Sequence, residues 1–252
     1  MSTVCQLRIP FEVRGDAVFW GTHEVPGADP KTFVGLSNVW GADHKTVFTE
    51  WRPRKIDRAS FEFLNGLFVR DRTHVYDYHG AIEGADPQSF TCLDAGLVSE
   101  EGGVTCHVWQ RGYARDARQV YYHDQQTGRA SVVRGADANT FVSFGSSYGR
   151  DKRSVYHEKS RIPTDRPMQW LYLGRQYSTD GDHVFYFNRV VPGAKPAEMR
   201  IVLLPTIGNY ATDGQNWFRN DSPISKAEFD QEMARVLKSL PKSLAVAVSS
   251  NQ

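Results

Sequence analysis

Aspartate is the residue type whose distribution first suggests chemistry. Six aspartates recur along the chain, and one lies in Asp180-Gly181-Asp182, a grouping of oxygen ligands that calcium would accept. The copies lack the regular ligand spacing of a calcium loop, and a cation often follows, as Arg72 and Lys152 do. Aspartate also initiates tight turns by accepting backbone N–H groups. We therefore predict turn-forming aspartates without metal at Asp43, Asp71, Asp116, Asp151, Asp180 and Asp213.

Histidine and cysteine could supply a metal centre, or a nucleophile with its base. The middle of the chain holds His74, His79, His107, His123, Cys92 and Cys106. No HxH, HxxxH or CxxC spacing is present, and the adjacent Cys106 and His107 would point to opposite faces of a strand. Phosphate-binding glycine loops, a serine elbow and a metalloprotease helix are also absent from the sequence. The sequence predicts a protein that is not an enzyme, with no catalytic residue, metal or cofactor.

The six aspartates are the centres of a repeated pattern. An aromatic residue lies three positions before each aspartate and another lies five positions after it, while position plus four is valine in all copies but the last. The earlier aromatics are Trp40, Phe68, Tyr113, Tyr148, Tyr177 and Tyr210, and the later ones are Phe48, Tyr76, Tyr121, Tyr156, Phe185 and Phe218. Aromatics are 12% of the chain, so this recurrence predicts an array of structural repeats.

Each repeat is predicted to contain a β-hairpin. The polar residues around Asp151 suit a four-residue turn, in which minus one pairs with plus four and minus two pairs with plus five. Strand alternation then gives both faces apolar side chains, so each hairpin should pack between neighbours. Small residues at minus two, such as Gly41 and Gly149, are expected to leave room for the plus-five ring. The segment Gly84-Ala85-Asp86-Pro87 and its copies predict a helical turn that closes each repeat.

These repeats resemble the DKNYY family of bacterial proteins. The run Asp151-Lys152-Arg153-Ser154-Val155-Tyr156 and residues 116–122 match the motif in the family's name, and the GADP segments match its closing element. The similarity extends over about residues 15–230. It implies a bacterial repeat protein and supplies no catalytic motif to carry over.

The departures from the pattern define the organisation of the chain. Residues 1–36 form a degenerate first repeat with Arg14 in the aspartate position, and residues 94–111 are an insertion that predicts an extra hairpin or extended loop. Ser225 and Glu228 have capping-box spacing, which predicts a capping helix over residues 225–240. The predicted fold is mainly β, with about seven hairpin or meander repeats in a single domain over residues 1–240 and a flexible tail at 241–252.

Composition restricts the classes of partner and the compartment. The net charge is +1, from 30 Lys and Arg against 29 Asp and Glu, which gives no global electrostatic reason to expect nucleic acid or a membrane as partner. Three cysteines are too few for a disulfide framework. The N-terminus lacks the apolar core of a signal peptide, and no run reaches the roughly 20 apolar residues of a membrane helix. The sequence predicts a soluble cytoplasmic protein.

Two segments outside the pattern are the candidates for function. Residues 49–54 are interpreted as a charged, aromatic loop in place of a short turn, and residues 97–111 are the body of the insertion. Tryptophan and arginine are favoured anchors of protein interfaces, and functional residues often lie on loops of a rigid scaffold. The predicted partner-binding residues are Trp51, Arg52, Arg54, Glu100, Glu101, His107, Trp109 and Arg111.

The preferred functional hypothesis is a non-enzymatic repeat protein that binds another protein, as an immunity protein that neutralises a bacterial toxin would. The first alternative is a hydrolase with carboxylates or histidines gathered in a concave face, because any of the 29 carboxylates could pair in space. The second alternative is a carbohydrate-binding protein of the cell envelope with a row of exposed aromatics. A deep polar pocket built from several repeats would favour the hydrolase.

Overall fold

A computed structural model describes residues 10–95, 97–101, 104–108, 111–145, 147–203 and 208–239, without the side chains of 97–101 and 104–108. Among these residues the chain forms seven small antiparallel sheets of three or four strands, one separate two-stranded hairpin and one α-helix. The predicted mainly β repeat fold is therefore confirmed.

The chain divides into two compact units, residues 1–151 and 152–252. The boundary falls in the turn of the fifth repeat, directly after Asp151. The single domain predicted for residues 1–240 stays a prediction.

The first unit holds the first four repeats and the start of the fifth. Its strands are β1 (Phe11–Arg14), β2 (Ala17–Trp20), β3 (His23–Glu24), β4 (Val34–Gly35), β5 (Trp40–Ala42), β6 (Val47–Thr49), β7 (Arg52–Arg54), β8 (Glu62–Phe63), β9 (Val69–Arg70), β10 (Val75–Asp77), β11 (Gly80–Ala81), β12 (Thr91–Cys92), β13 (Leu97–Glu101), β14 (Val104–Val108), β15 (Gly112–Arg115), β16 (Val120–Asp124), β17 (Arg129–Val132), β18 (Val142–Gly145) and β19 (Tyr148–Arg150). Each sheet is a meander that follows chain order, except that β12 pairs with β15 because β13 and β14 form a hairpin of their own.

The second unit continues the same plan. Its strands are β20 (Val155–His157), β21 (Ser160–Ile162), β22 (Leu171–Gly174), β23 (Tyr177–Thr179), β24 (Val184–Tyr186), β25 (Arg189–Val190), β26 (Arg200–Ile201), β27 (Tyr210–Thr212), β28 (Trp217–Arg219) and β29 (Ser222–Ile224). Short 3-10 helices at Pro167–Gln169 and Pro196–Glu198 occupy the closing positions, and α1 (Lys226–Ser239) follows the last sheet. The closing helical turn was predicted from Asp29-Pro30 and Asp86-Pro87, where the structure has a single turn, closed in the first repeat by the N–H of Thr32 on the carbonyl of Asp29 at 3.2 Å. Both 3-10 helices have proline at the first turn.

The predicted hairpin register is confirmed. In the third repeat Val75 pairs with Arg70 and Tyr76 pairs with Val69, which are the plus-four with minus-one and plus-five with minus-two pairs. The aromatics at minus three and plus five are buried in the six repeats that have the central aspartate, and so are the valines at plus four, whereas the equivalent Phe11 and Phe19 of the first repeat are half-buried. Both faces of each hairpin are therefore covered, and the ring pattern in the sequence is a packing pattern.

Each anchor aspartate, the aspartate at the centre of a repeat, binds two parts of the fold. One oxygen of Asp71 accepts the N–H groups of Thr73 and His74 at 2.8 Å, which forms the predicted turn. The other oxygen accepts the N–H of Asp57, at the closing turn of the preceding repeat, and the Tyr76 hydroxyl at 2.7 Å. Burial acts to raise the pKa of Asp71, but these hydrogen bonds outweigh it and hold the pKa well below its ordinary value.

The minus-two residue is small for a reason that differs from the expected one. Gly41 does pair with Phe48 across the hairpin. However, a Cβ on Gly41 would lie 2.4 Å from Cζ of Phe33, and one on Gly149 would lie 2.3 Å from Cζ of Phe141. The room is therefore needed by the aromatic of the preceding closing turn rather than by the plus-five ring.

The interpretation of residues 49–54 as a pattern-breaking loop is wrong. Thr49 ends β6, Glu50 and Trp51 form a two-residue turn, and Arg52 begins β7, which pairs with β6. Glu50 has a positive φ of 55°, as the first residue of a primed hairpin turn requires. Every described repeat has such a strand after its hairpin, as the last strand of its sheet. The segment is part of the scaffold, and its unusual feature is composition rather than conformation.

The C-terminal helix agrees with its predicted boundaries to within one residue. The Ser225 hydroxyl accepts the N–H of Glu228, and the Glu228 carboxylate accepts the N–H of Ser225, as in a capping box. Val236 is buried, and the ring of Phe229 meets that of Tyr210 edge to face at 6.1 Å. Residues 240–252, with the predicted tail, lie outside the described part of the chain. Within that part, no helix has the length and apolar character needed to cross a membrane.

Candidate functional site: the insertion end of the first unit

Strand direction divides the turns of each sheet between two ends. The anchor turns and the closing turns lie at one end, which we call the anchor end. In the four-stranded sheets, the turns between the first and second strands and between the third and fourth strands lie at the opposite end, which we call the insertion end. In the three-stranded first sheet, the β2–β3 turn lies there. In the second repeat the two turns of this end are joined by a 2.6 Å hydrogen bond from the N–H of Glu50 to the carbonyl of Val39.

The insertion emerges from one of these turns. In the second repeat Ser37 lies three residues before Trp40, and its hydroxyl accepts the N–H groups of Val39 and Trp40. Asn65 has the same function before Phe68. In the fourth repeat the equivalent residue is Asp94, whose carboxylate accepts the N–H of Tyr113 at 2.6 Å.

The size of the insertion follows from this equivalence. Asp94 and Tyr113 are 113−94=19 residues apart where the other repeats have three, so 19−3=16 residues are inserted. The N–H of Asp86 reaches Asp116 over 30 residues, whereas the corresponding bonds to Asp43 and Asp71 span 14, and 30−14 is again 16. The scaffold closes as if the insertion were absent.

The base of the insertion is held by the neighbouring repeats. The carboxylate of Asp94 accepts the Ser143 hydroxyl at 2.6 Å, and its carbonyl accepts the side-chain amide of Asn65 at 3.0 Å. A Cβ on Gly112 would lie 3.1 Å from Asp94 and 3.2 Å from Leu67. The hairpin therefore begins and ends in a tightly packed root.

Within the insertion β13 and β14 pair as a hairpin, which is the first of the two predicted forms, and Glu101 lies opposite Val104. Five residues per strand give it a length of about 17 Å. Glu100 and Glu101 lie on β13 and His107 lies on β14, while Arg111 is exposed at the root. Trp109 lies outside the described residues.

Trp51 belongs to an aromatic cluster at the same end of the unit. Its indole stacks on the ring of His23 at 4.3 Å, and the Trp20 ring centroid is 5.4 Å away. The guanidinium of Arg52 lies 4.4 Å from the centroid of the Trp51 ring. Thus the structure places Trp51 and Arg52 at the insertion end, together with the hairpin that carries Glu100, Glu101 and His107. Trp20 and His23 were missed, because their copy is the degenerate one.

Arg52 and Arg54 also line a groove of about 390 Å³ between β7 and β11. Lys55, which was not predicted, lies beside them, and the floor contains the buried residues Ile56 and Tyr76. The Arg52 guanidinium is 3.5 Å from the carboxylate of Glu50, at the far end of ion-pair distance. Arg54 and Lys55 have no carboxylate within that distance among the described residues.

The described side chains that were considered for metal or nucleophilic chemistry are dispersed, and those of Cys106 and His107 lie outside the described part of the chain. His79 bonds the carbonyl of Thr127 at 2.9 Å, and His123 is fully buried with its ring 5.8 Å from Phe68. Burial raises the pKa of the Cys92 thiol to about 12, which keeps it protonated and unreactive. In the described parts of the chain, no three His, Cys, Asp or Glu side chains are placed to share a metal ion.

The fold and this surface define a class: a β-meander repeat scaffold that presents short turns and one inserted hairpin at an end of its sheets. The chain belongs to the DKNYY family, whose model matches residues 11–159 and 113–234. A comparison with curated proteins and one with solved structures gave no match. The family assignment accordingly rests on the match to the family model.

Proposed function

We propose that this chain is a non-enzymatic protein-binding scaffold, which contacts its partner through the insertion end of the first unit. The observation that carries this proposal is the 16-residue hairpin grafted onto a turn whose own hydrogen bonds are complete without it. A segment that the scaffold does not need is free to vary with a partner, and a rigid root limits the entropy lost on binding.

The carboxylates argue against the hydrolase alternative. The anchor aspartates are buried and accept backbone N–H groups, so they are committed to turns and closing segments. In a second groove, of about 260 Å³, Glu228 belongs to the capping box and Glu232 pairs with Arg235 at 2.6 Å. The recurring aromatics are buried, so they offer no row of exposed rings for a sugar.

We further propose the biological setting of an immunity protein, which binds and neutralises a bacterial toxin in the cytoplasm of the cell that makes it. Inhibitor and toxin pairs need specificity that can change without loss of the fold, and an inserted hairpin on a repeat scaffold supplies it. The candidate toxin is the product of the neighbouring gene.

Deletion of residues 96–111 tests the surface. This removes 16 residues and leaves Ala95 and Gly112 between Asp94 and Tyr113, which restores the three-residue spacing of the second and third repeats. We expect the deletion variant to unfold at the same temperature as the intact chain, because the root bonds remain. We expect it to lose binding to the neighbouring gene product in calorimetry and to lose protection of cells that express that product.

The matched control is Lys45→Gln, which changes an exposed side chain at the anchor end. This variant should bind and protect as the intact chain does. Full binding by the deletion variant would show that the insertion is not the contact surface. The absence of any binding by the intact chain to the neighbouring product, together with no effect on cell growth, would reject the immunity role.

A further inference from the structure

The last strands of the sheets share a buried aliphatic position, and the sheet of the second repeat departs from it. The residue that faces the plus-four position of the hairpin is Val25, Ile82, Val133, Ile162, Val191 and Ile224 in six of the repeats. In the second repeat the residue that faces Val47 is Arg54. Five of the six aliphatic side chains are buried and Ile224 is half-buried, as Arg54 is.

This replacement opens the groove between β7 and β11. Where the other repeats fill the position with an aliphatic side chain, Arg54 extends along the groove wall, and its guanidinium is within 3.7 Å of a Cβ built on Gly80. Gly80 has no side chain, so at this position β11 contributes no side chain that would fill the groove. Ile56, two residues after Arg54, supplies the buried aliphatic group instead.

The groove has an excess of positive charge. Arg52, Arg54 and Lys55 line it, and no residue of its lining carries a carboxylate. Glu50 offsets part of the charge of Arg52, whereas Arg54 and Lys55 have no such partner among the described residues. The buried Ile56 and Tyr76 below them exclude water from one side, which strengthens attraction to an anion.

The edge of β7 decides how a ligand can approach. Thr49 and Arg52 close the two-residue turn as a pair, so the N–H and carbonyl groups of Arg52 and Arg54 point inward to β6. The backbone of Pro53 faces the open edge of the sheet, where proline has no N–H to donate. A partner strand therefore cannot extend this sheet, and recognition must come from the cationic side chains.

We propose that this groove binds carboxylate side chains of an acidic segment on the partner protein. The inference rests on the proposed function, because it names the chemistry of the partner along β7, the strand that runs from the insertion-end turn at Arg52 towards the anchor end at Arg54. Two guanidinium groups and one ammonium group suit a run of neighbouring carboxylates, with paired hydrogen bonds to the arginines. The groove is of a size for side chains rather than for a folded element.

An oligoglutamate peptide is the probe, and the change in tryptophan fluorescence is the readout, because the Arg52 guanidinium lies 4.4 Å from the centre of the Trp51 ring. We expect saturable binding to the intact chain that weakens as salt is added. Arg54→Ile should weaken it at least about tenfold, since a charge-assisted hydrogen bond is lost. Lys55→Gln should weaken it as well, and Lys45→Gln, in the anchor turn of the same repeat but outside the groove lining, should leave it unchanged.

The stability of Arg54→Ile separates a binding role from a structural one. Isoleucine is the residue of three equivalent positions, so the variant should unfold at the same temperature as the intact chain or higher. A clear fall in the unfolding temperature would show that Arg54 serves the scaffold, and would overturn the inference. Equal weakening by Lys45→Gln, or no saturable binding to the intact chain, would also overturn it.

Two further comparisons identify the ligand and separate this inference from the proposed function. Inorganic phosphate that binds as tightly as the peptide, with the same sensitivity to Arg54→Ile, would indicate a general oxyanion site and overturn the acidic-segment proposal. The variant that lacks residues 96–111 should keep its affinity for oligoglutamate. Retained peptide binding without any protein partner would reject the proposed function alone, whereas partner binding that Arg54→Ile leaves intact would reject this inference alone.

Discussion

At each anchor aspartate the two carboxylate oxygens have different tasks. In Asp116, one oxygen accepts the N–H groups of Arg118 and Gln119 at 2.7 Å and so shapes the turn. The other accepts the N–H of Asp86 and the hydroxyl of Tyr121, which attaches the hairpin to the preceding repeat. A carboxylate surrounded by donors in this way is not available as a metal ligand.

The same bonds make stability depend on pH. The pKa of Asp71 is lower in the folded protein than its ordinary value of 3.8, so the unfolded chain takes up the proton first. The contribution of this carboxylate is therefore complete above about pH 4 and is lost as pH falls through the lower, folded value. Asp116, Asp180 and Asp213 have lowered pKa values as well, and act in the same direction.

We predict that Asp71→Asn lowers the free energy of unfolding by about 2–4 kcal/mol at pH 7, because the amide offers N–H groups to donors and loses the charge. The difference from the intact chain should shrink as pH falls from about 4 towards 2, because the unfolded chain takes up the proton on Asp71 in this range while the folded chain still holds it ionised. Urea unfolding followed by tryptophan fluorescence at several pH values measures this. Asp16→Asn, in the exposed β1–β2 turn, is the control. A deficit that stays constant with pH would contradict the charge argument.

At the scale of the element, the repeat is a meander of short strands locked by the aromatic of the neighbouring closing turn. Phe141 is buried and lies over Gly149, where its ring leaves no space for a Cβ. This contact joins a closing turn to the following hairpin on the apolar side, as the anchor aspartate does on the polar side.

We predict that Gly149→Ala costs about 1–3 kcal/mol of unfolding free energy, because the new methyl group forces the Phe141 ring to move. The double variant with Phe141→Leu should lose less than the sum of the two single variants, since the leucine makes room for the methyl. Chemical unfolding of the four proteins in this cycle gives the coupling. Strict additivity would show that the two residues do not compete for the same space.

The sequence predicted the strongly patterned elements and misread the weak ones. The register of the anchor hairpins followed from a polar turn between period-two strands, and the Ser225–Glu228 spacing located α1. The β7 strand was missed because three residues with a central proline show no apolar alternation. The contact that requires a glycine at position 41 was missed, because Phe33 belongs to the preceding repeat and contacts Gly41 only in the folded chain.

Part of the candidate site was also predictable from the sequence. Trp51, Arg52 and the insertion stood out by composition, and strand direction places them at one end. Lys55 and the groove could not be derived from the sequence. That Arg54 replaces an aliphatic residue becomes visible only when the last strands of the sheets are aligned by their pairing with the hairpins.

At the scale of the whole molecule, stability comes from interactions between successive repeats. In the second unit, the last sheet has no following hairpin among the described residues, and α1 packs beside it instead. Val236 is buried, and Phe229 meets Tyr210. Terminal repeats need such a cover because an open apolar face promotes association.

We predict that a chain truncated after Ile224 binds the apolar dye ANS strongly and forms higher oligomers, because loss of α1 exposes Tyr210 and its neighbours. Dye fluorescence and analytical ultracentrifugation provide the measurements. Lys238→Ala, on the exposed side of α1, should leave both unchanged. A monomeric truncated chain without dye binding would show that the helix is not a cover.

The backward reach of the anchor aspartates has a mechanical consequence. Within the first unit the four bonds run from Asp29 to Asp43, Asp57 to Asp71, Asp86 to Asp116 and Asp137 to Asp151. Each of these bonds holds one repeat to the one before it and to no other. A force that draws the chain out from one end would therefore meet these links one after another, so the unit should lengthen in steps of one repeat and shorten again in the reverse order.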